Sequence, residues 1–146
     1  MLIQVKSQQG VSFVSHLPSI VSARVKLLFP KTQTSTELES FFLDLSLALF
    51  DSSSHDGKLI GHIKLYGKGN SKSVIRANAT GIRENAEVEI RNFHPEKEVE
   101  IWLNVIAYGL SEDEIRRGFL RTLTQATRQH EVKVRSLRVE HRHGHR

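Results

Sequence analysis

The polar and apolar positions of this chain fall into two kinds of repeat. Ile63 and Leu65 alternate with His62, Lys64 and Tyr66, and Ile75, Ala77 and Ala79 alternate with Arg76, Asn78 and Thr80. A period of two places one set of side chains on each side of a strand. Gly67-Lys68-Gly69-Asn70-Ser71 between the two runs has the composition of a hairpin loop. Further on, Val88 and Ile90 alternate with Glu87, Glu89 and Arg91, and Val99, Ile101, Leu103 and Val105 alternate with Glu98, Glu100, Trp102 and Asn104. The short link Asn92-Phe93-His94-Pro95-Glu96-Lys97 makes these a second predicted hairpin. The strand from 98 to 108 is long and strongly patterned, a natural pairing surface if it lies at a sheet edge.

Helical spacing takes over at two places. Leu38, Phe41, Phe42, Leu45 and Leu49 form one apolar stripe, which predicts a helix from 36 to 50 with Thr34-Glu37 or Thr36-Glu39 as its capping box. A polar exit follows, from Asp51 to Gly57. The second helix opens at Ser111, where Ser111-Glu112-Asp113-Glu114 lets cap and third residue satisfy each other's backbone donors. Ile115, Phe119, Leu120, Leu123 and Ala126 then recur at helical spacing. Its acids lie at the positive end of the helix dipole and its arginines further along.

After that helix Val132, Val134, Leu137 and Val139 alternate with basic residues, with one slip that a β-bulge absorbs, so 131 to 140 reads as a strand. The first 30 residues fit both periods. Ala23, Val25, Leu27 and Phe29 suit a strand, whereas Leu17, Val21, Val25 and Leu28 suit a helix after Pro18, which is the reading adopted. Clean alternation means that one sheet face is buried and the other is polar. The expected fold is therefore α+β, a mainly antiparallel sheet of about five strands with two or three helices on one face. A chain of 146 residues suits one domain, taken as 1–140, with 141–146 as a flexible basic tail.

Composition narrows the function classes. With 38% hydrophobic and 25% charged residues the chain is too apolar to be wholly disordered. The absence of cysteine removes disulfides, thiolate metal sites and cysteine nucleophiles. Neither a basic leader with an apolar run behind it nor a membrane-length apolar stretch is visible, so the expected address is cytoplasmic and away from membranes. The net charge of +5 is unevenly placed. Residues 1–114 carry 12 Lys and Arg against 14 Asp and Glu, while residues 115–146 carry nine against two.

That basic pole is the strongest functional signal. Arg116, Arg117, Arg121, Lys133, Arg135 and Arg138 on one helix and strand could displace counterions from phosphates, which points to nucleic acid or another acidic partner. A solvated charged face is the plain alternative. Trp102 among outward-facing residues is either covered by another element or marks a contact surface, and with the acidic stripe Glu87, Glu89, Glu98 and Glu100 it supports an interaction subunit, including a homo-oligomer. Pairing with Arg91 or Lys97 is the commoner fate of those carboxylates.

His62, Lys64, Tyr66, Arg76, Asn78 and Thr80 share the predicted polar face and could bind an anion or serve acid-base chemistry. No motif specifies a reaction, so an enzyme ranks third. Gly67-Lys68-Gly69-Asn70 lacks the phosphate-loop pattern and sits between strands. His141, His143 and His145 alternate with Arg142 and Gly144, but neighbouring arginines repel a cation and a tail loses entropy on ordering. No metal or cofactor is expected. The sequence reading is a non-catalytic binding or assembly module that uses its basic C-terminal helix and strand.

Overall fold

The computed structural model of the chain describes residues 2–7, 10–15 and 17–141, with side chains from 17 to 140. The strands are β1 (Leu2–Ser7), β2 (Gly10–Ser15), β3 (Ser19–Gln33), β4 (Lys58–Gly69), β5 (Val74–Ile82), β6 (Glu87–Arg91), β7 (Glu96–Ala107) and β8 (Lys133–His141). The helices are α1 (Ser35–Ser53) and α2 (Glu112–Gln129). β1 and β2 pair with each other as a two-stranded sheet. The other strands form one six-stranded antiparallel sheet in the order β6-β5-β4-β7-β3-β8.

Both helices lie on one face of that sheet. Val21, Val25, Leu27 and Phe29 of β3, Ile63 and Leu65 of β4, Ile75 of β5 and Ile101, Leu103 and Val105 of β7 all point to that side and are buried with Phe41, Phe42, Leu45 and Leu49 of α1 and Phe119 and Leu123 of α2. Phe29, Phe41 and Phe42 meet edge to face at about 5 Å between ring centroids. Each helix opens on a reciprocal capping box, Thr34 with Glu37 and Ser111 with Glu114. The backbone donor at the cap and, for Glu37, the Lys31 ammonium too hold both carboxyls below the ordinary glutamate value.

Residues 19–33 are a strand, not the helix that the sequence favoured. Both periods were present there, and tertiary pairing decided between them, because β3 is bonded to β7 on one side and β8 on the other. Pro30, without an N–H to give, falls where the pairing with β7 breaks register between Leu28 and Gln33. The slip in β8 is a bulge, with Lys26 opposite Ser136 and Leu27 opposite Val134, so that Arg135 is the extra residue.

The second predicted hairpin does not form either. β4 and β5 make the first one, but β6 adds to the far side of β5 while β7 crosses to the far side of β4. The strand 98–108 is therefore central, and the unpaired margins of the sheet are β6 and β8. The crossing segment passes the tip of the β4–β5 hairpin and is fastened there. The Ser73 hydroxyl donates to the His94 carbonyl (2.9 Å) and accepts from the His94 N–H (2.7 Å), and the Asn92 amide donates to the Lys72 carbonyl (3.3 Å). The fully buried Glu96 carboxylate accepts the backbone N–H groups of Ser71 (2.8 Å) and Ser73 (2.9 Å).

Candidate binding face of the sheet

The face opposite the helices carries the outward half of every alternation, and the strand register sets which of those residues become neighbours. One row runs across the whole sheet as Glu89, Arg76, Tyr66, Trp102, Arg24 and Arg138. The next row along the strands is Glu87, Asn78, Lys64, Asn104, Ser22 and Glu140. On the other side of the aromatic row stand Arg91, Val74, Lys68, Glu100, Lys26 and Ser136.

Tyr66 and Trp102 meet at the centre of this face, with ring centroids 5.7 Å apart and planes inclined at 46°. Tyr66 is 39% exposed and Trp102 is half-buried. The Arg24 guanidinium stands 5.3 Å from the Trp102 ring centroid, within cation–π range, and its Nε donates to Glu100 at 2.5 Å. The hydrogen bond and charge of Glu100 raise the Arg24 pKa above its ordinary value. The Trp102 ring is therefore flanked by Tyr66 and Arg24, while among the described residues no helix covers this side of the sheet.

The charges around the aromatic pair are of two kinds. Arg135 with Glu98 and Arg91 with Glu89 are paired, as Arg24 is with Glu100. Among the described residues Lys26, Lys64, Lys68, Arg76 and Arg138 form no ion pair, and all five are exposed on this face. A shallow depression of about 660 Å³ lies over β4, β5 and β7, lined by His62, Lys64, Tyr66, Arg76, Asn78, Thr80, Trp102 and Asn104 among others. A second depression, on the β3–β8 side of Trp102, includes Arg24, Arg138 and Glu140. Together they give an uncovered track across the sheet that passes the tryptophan.

The six residues expected to share a polar face, from His62 to Thr80, are thus brought together with Trp102. Among the described residues no hydrogen bond joins His62 to Tyr66. The basic pole divides. Arg138 and Arg135 reach the open face, whereas Arg116, Arg117 and Arg121 belong to α2 in the helix layer, Arg116 and Arg117 both against Asp113. Lys133 is exposed at the start of β8, opposite Leu28. The acidic stripe is also divided, since β5 and β4 separate Glu87 and Glu89 from Glu98 and Glu100.

Sequence reasoning missed Ser22, Arg24 and Lys26 because it placed them on a helix. The alternation of Val21, Ala23, Val25 and Leu27 was the signal that could have found them. The hairpin connection between β4 and β5 falls at residues 70–73, later than expected, because Gly67, Lys68 and Gly69 are still paired within β4. Among the described residues no group of three His, Asp or Glu side chains could hold a metal. His143 and His145, and the side chain of His141, lie outside the described residues. No described helix is long and apolar enough to cross a membrane. The chain matches no protein-family model, no curated protein and no solved structure.

Proposed function

We propose that this chain is a non-catalytic binding module that holds single-stranded nucleic acid across the open face of its sheet. The observation that supports the reading most is the Tyr66–Trp102 pair, side by side on the face opposite the helices among five cations that, among the described residues, have no carboxylate partner. Bases offer a π-face to such aromatic side chains, and each stacked base contributes about 1–3 kcal/mol. Unpaired lysines and arginines alongside neutralise the phosphates and release their counterions. Sheets that present aromatic residues in this way suit splayed single strands, whose bases are free to leave their own stack.

The test is binding of labelled oligonucleotides at about 50 mM and about 200 mM salt. With three to five phosphates neutralised by the unpaired cations, log K against log salt should fall with a slope of about −2 to −3.5. Arg76→Glu with Arg138→Glu should weaken binding more than Arg116→Glu with Arg121→Glu, which alters the helix layer. Binding that depends only on the α2 arginines would move the site to that helix.

The second reading is an interaction subunit or homo-oligomer that buries Trp102 against a protein, favoured by the same uncovered aromatic pair. Failure to bind any oligonucleotide at low salt, together with a mass above the monomer that Trp102→Ala reduces, would select it.

A further inference from the structure

We infer that the open face prefers bases with a keto oxygen at the 4- or 6-position, uracil and guanine, over cytosine and adenine, which carry an amino group there. The inference rests on the nucleic-acid reading above and concerns the row beside the aromatic pair. Two residues along a strand span about 6.6 Å, and Lys64 and Asn104 line the same depression as the two rings, so a base stacked on Tyr66 or on Trp102 reaches Lys64 and Asn104 with its edge. These two are direct cross-strand partners on β4 and β7.

What they offer is donors. An ammonium group has three N–H donors and no acceptor. The Asn104 side chain has both, but its carbonyl oxygen is turned to Ser22, whose hydroxyl it accepts at 2.5 Å, which turns the NH₂ group away from β3. Lys64 forms no ion pair among the described residues, so its ammonium has no competing carboxylate. The carboxylates of the row, Glu87 and Glu140, stand at its two ends, two strands away from Lys64 and Asn104 respectively.

Donors in that place match an acceptor on the base edge. Uracil presents O4 and guanine O6, whereas cytosine and adenine present an exocyclic NH₂ there. An amino base would set donor against donor and leave both without a partner. Discrimination of this kind is made at the base edge and is separate from the phosphate contacts, which all sequences share.

Uridine and cytidine oligomers of equal length make the sharpest comparison, because the bases are alike in size and differ at this edge. Oligouridylate should bind the full chain about tenfold more tightly than oligocytidylate at the same salt, the ratio expected of one good edge contact. Asn104→Ala should bring oligouridylate down toward oligocytidylate and leave the salt slope unchanged. Asn104→Asp, which puts an acceptor where the NH₂ was, should shift the ratio toward cytidine, an inversion that a merely structural role for Asn104 would not produce. Equal affinities for the two oligomers would overturn the inference. If both were then lost on Trp102→Ala, the nucleic-acid reading would still stand. Binding of neither oligomer at low salt would overturn that reading and the inference with it.

Discussion

Gly69 and Glu96 should behave as one unit. Gly69 lies in the regular part of β4 opposite Val99, and no left-handed backbone angle demands glycine there. The demand comes from a close approach, because a Cβ built on Gly69 would sit inside the Glu96 carboxyl group. Glu96→Ala removes two charge-assisted hydrogen bonds. The Ser71 N–H is at an exposed residue and can turn to water, but Ser73 is fully buried and its N–H loses its partner. With about 1.5–3 kcal/mol for a hydrogen bond to a charged group, the loss is about 3 kcal/mol. Gly69→Ala must displace the same carboxylate, so it loses the same bonds and adds crowding, again about 3 kcal/mol or more. In the double variant the new methyl occupies space that the carboxylate has left, so the total should stay near 3 kcal/mol instead of about 6. Urea unfolding followed by the fluorescence of Trp102 gives the three midpoints at constant m. Additivity of the two substitutions to within about 0.5 kcal/mol would refute the argument.

Trp102→Ala should cost about 1–3 kcal/mol of oligonucleotide affinity while the urea midpoint, followed by circular dichroism since the chain has no other tryptophan, moves far less than for a core deletion, because the ring lies on the face opposite the helices. Gly61 has φ +141° and a Cβ there would strike the Ile106 carbonyl, so Gly61→Ala should destabilise by about 3 kcal/mol or more, read as a shift in thermal midpoint. Ser111→Ala removes the cap of α2 and should cost about 1 kcal/mol by the same measurement. The carboxyls of Glu37 and Glu114 have lowered pKa values in the folded chain, so their contribution is complete above the ordinary glutamate value of 4.5 and is lost as pH falls through the lower folded-state values. A Glu37→Gln, Glu114→Gln double variant should therefore lose less stability on acidification below that value than the native chain; equal acid sensitivity would show that other carboxylates dominate.

What could be read from the sequence was local. Alternation in 62–66, 75–80 and 98–105 says which side chains share a face, because the period of two is fixed by strand geometry. It does not say which strands are neighbours. Glu87–Arg91 and Glu96–Ala107 are consecutive, complementary in pattern and joined by a short link, yet they stand three positions apart in the sheet. The reason lies in Ser73 and Glu96, two buried polar residues, one in the β4–β5 turn and one at the start of β7, that fasten the crossing segment to the hairpin tip. A buried glutamate reads, one residue at a time, like any other charged position. The helix expected after Pro18 failed for a related reason, since both of its periods were real and only the two flanking strands could choose between them.

The same limit applies to the candidate face. Tyr66, Arg76 and Trp102 were each legible as outward-facing, but their value as a site depends on register, since a shift of one residue in β7 would turn Trp102 into the helix layer. Gly61 permits the close approach of β4 to β7 at the start of their pairing, since a Cβ there would meet the Ile106 carbonyl. Its positive φ falls within the irregularity between Leu59 and His62, where the pairing of β4 with β5 shifts and β4 passes directly over the Ile106 carbonyl. Downstream of it Tyr66 meets Trp102 and Lys64 meets Asn104. The binding reading therefore depends on a glycine with no functional group of its own. Substitution at Gly61 should impair oligonucleotide binding even under conditions where the chain remains folded, and full binding by a folded Gly61→Ala variant would show that the aromatic pair forms without it.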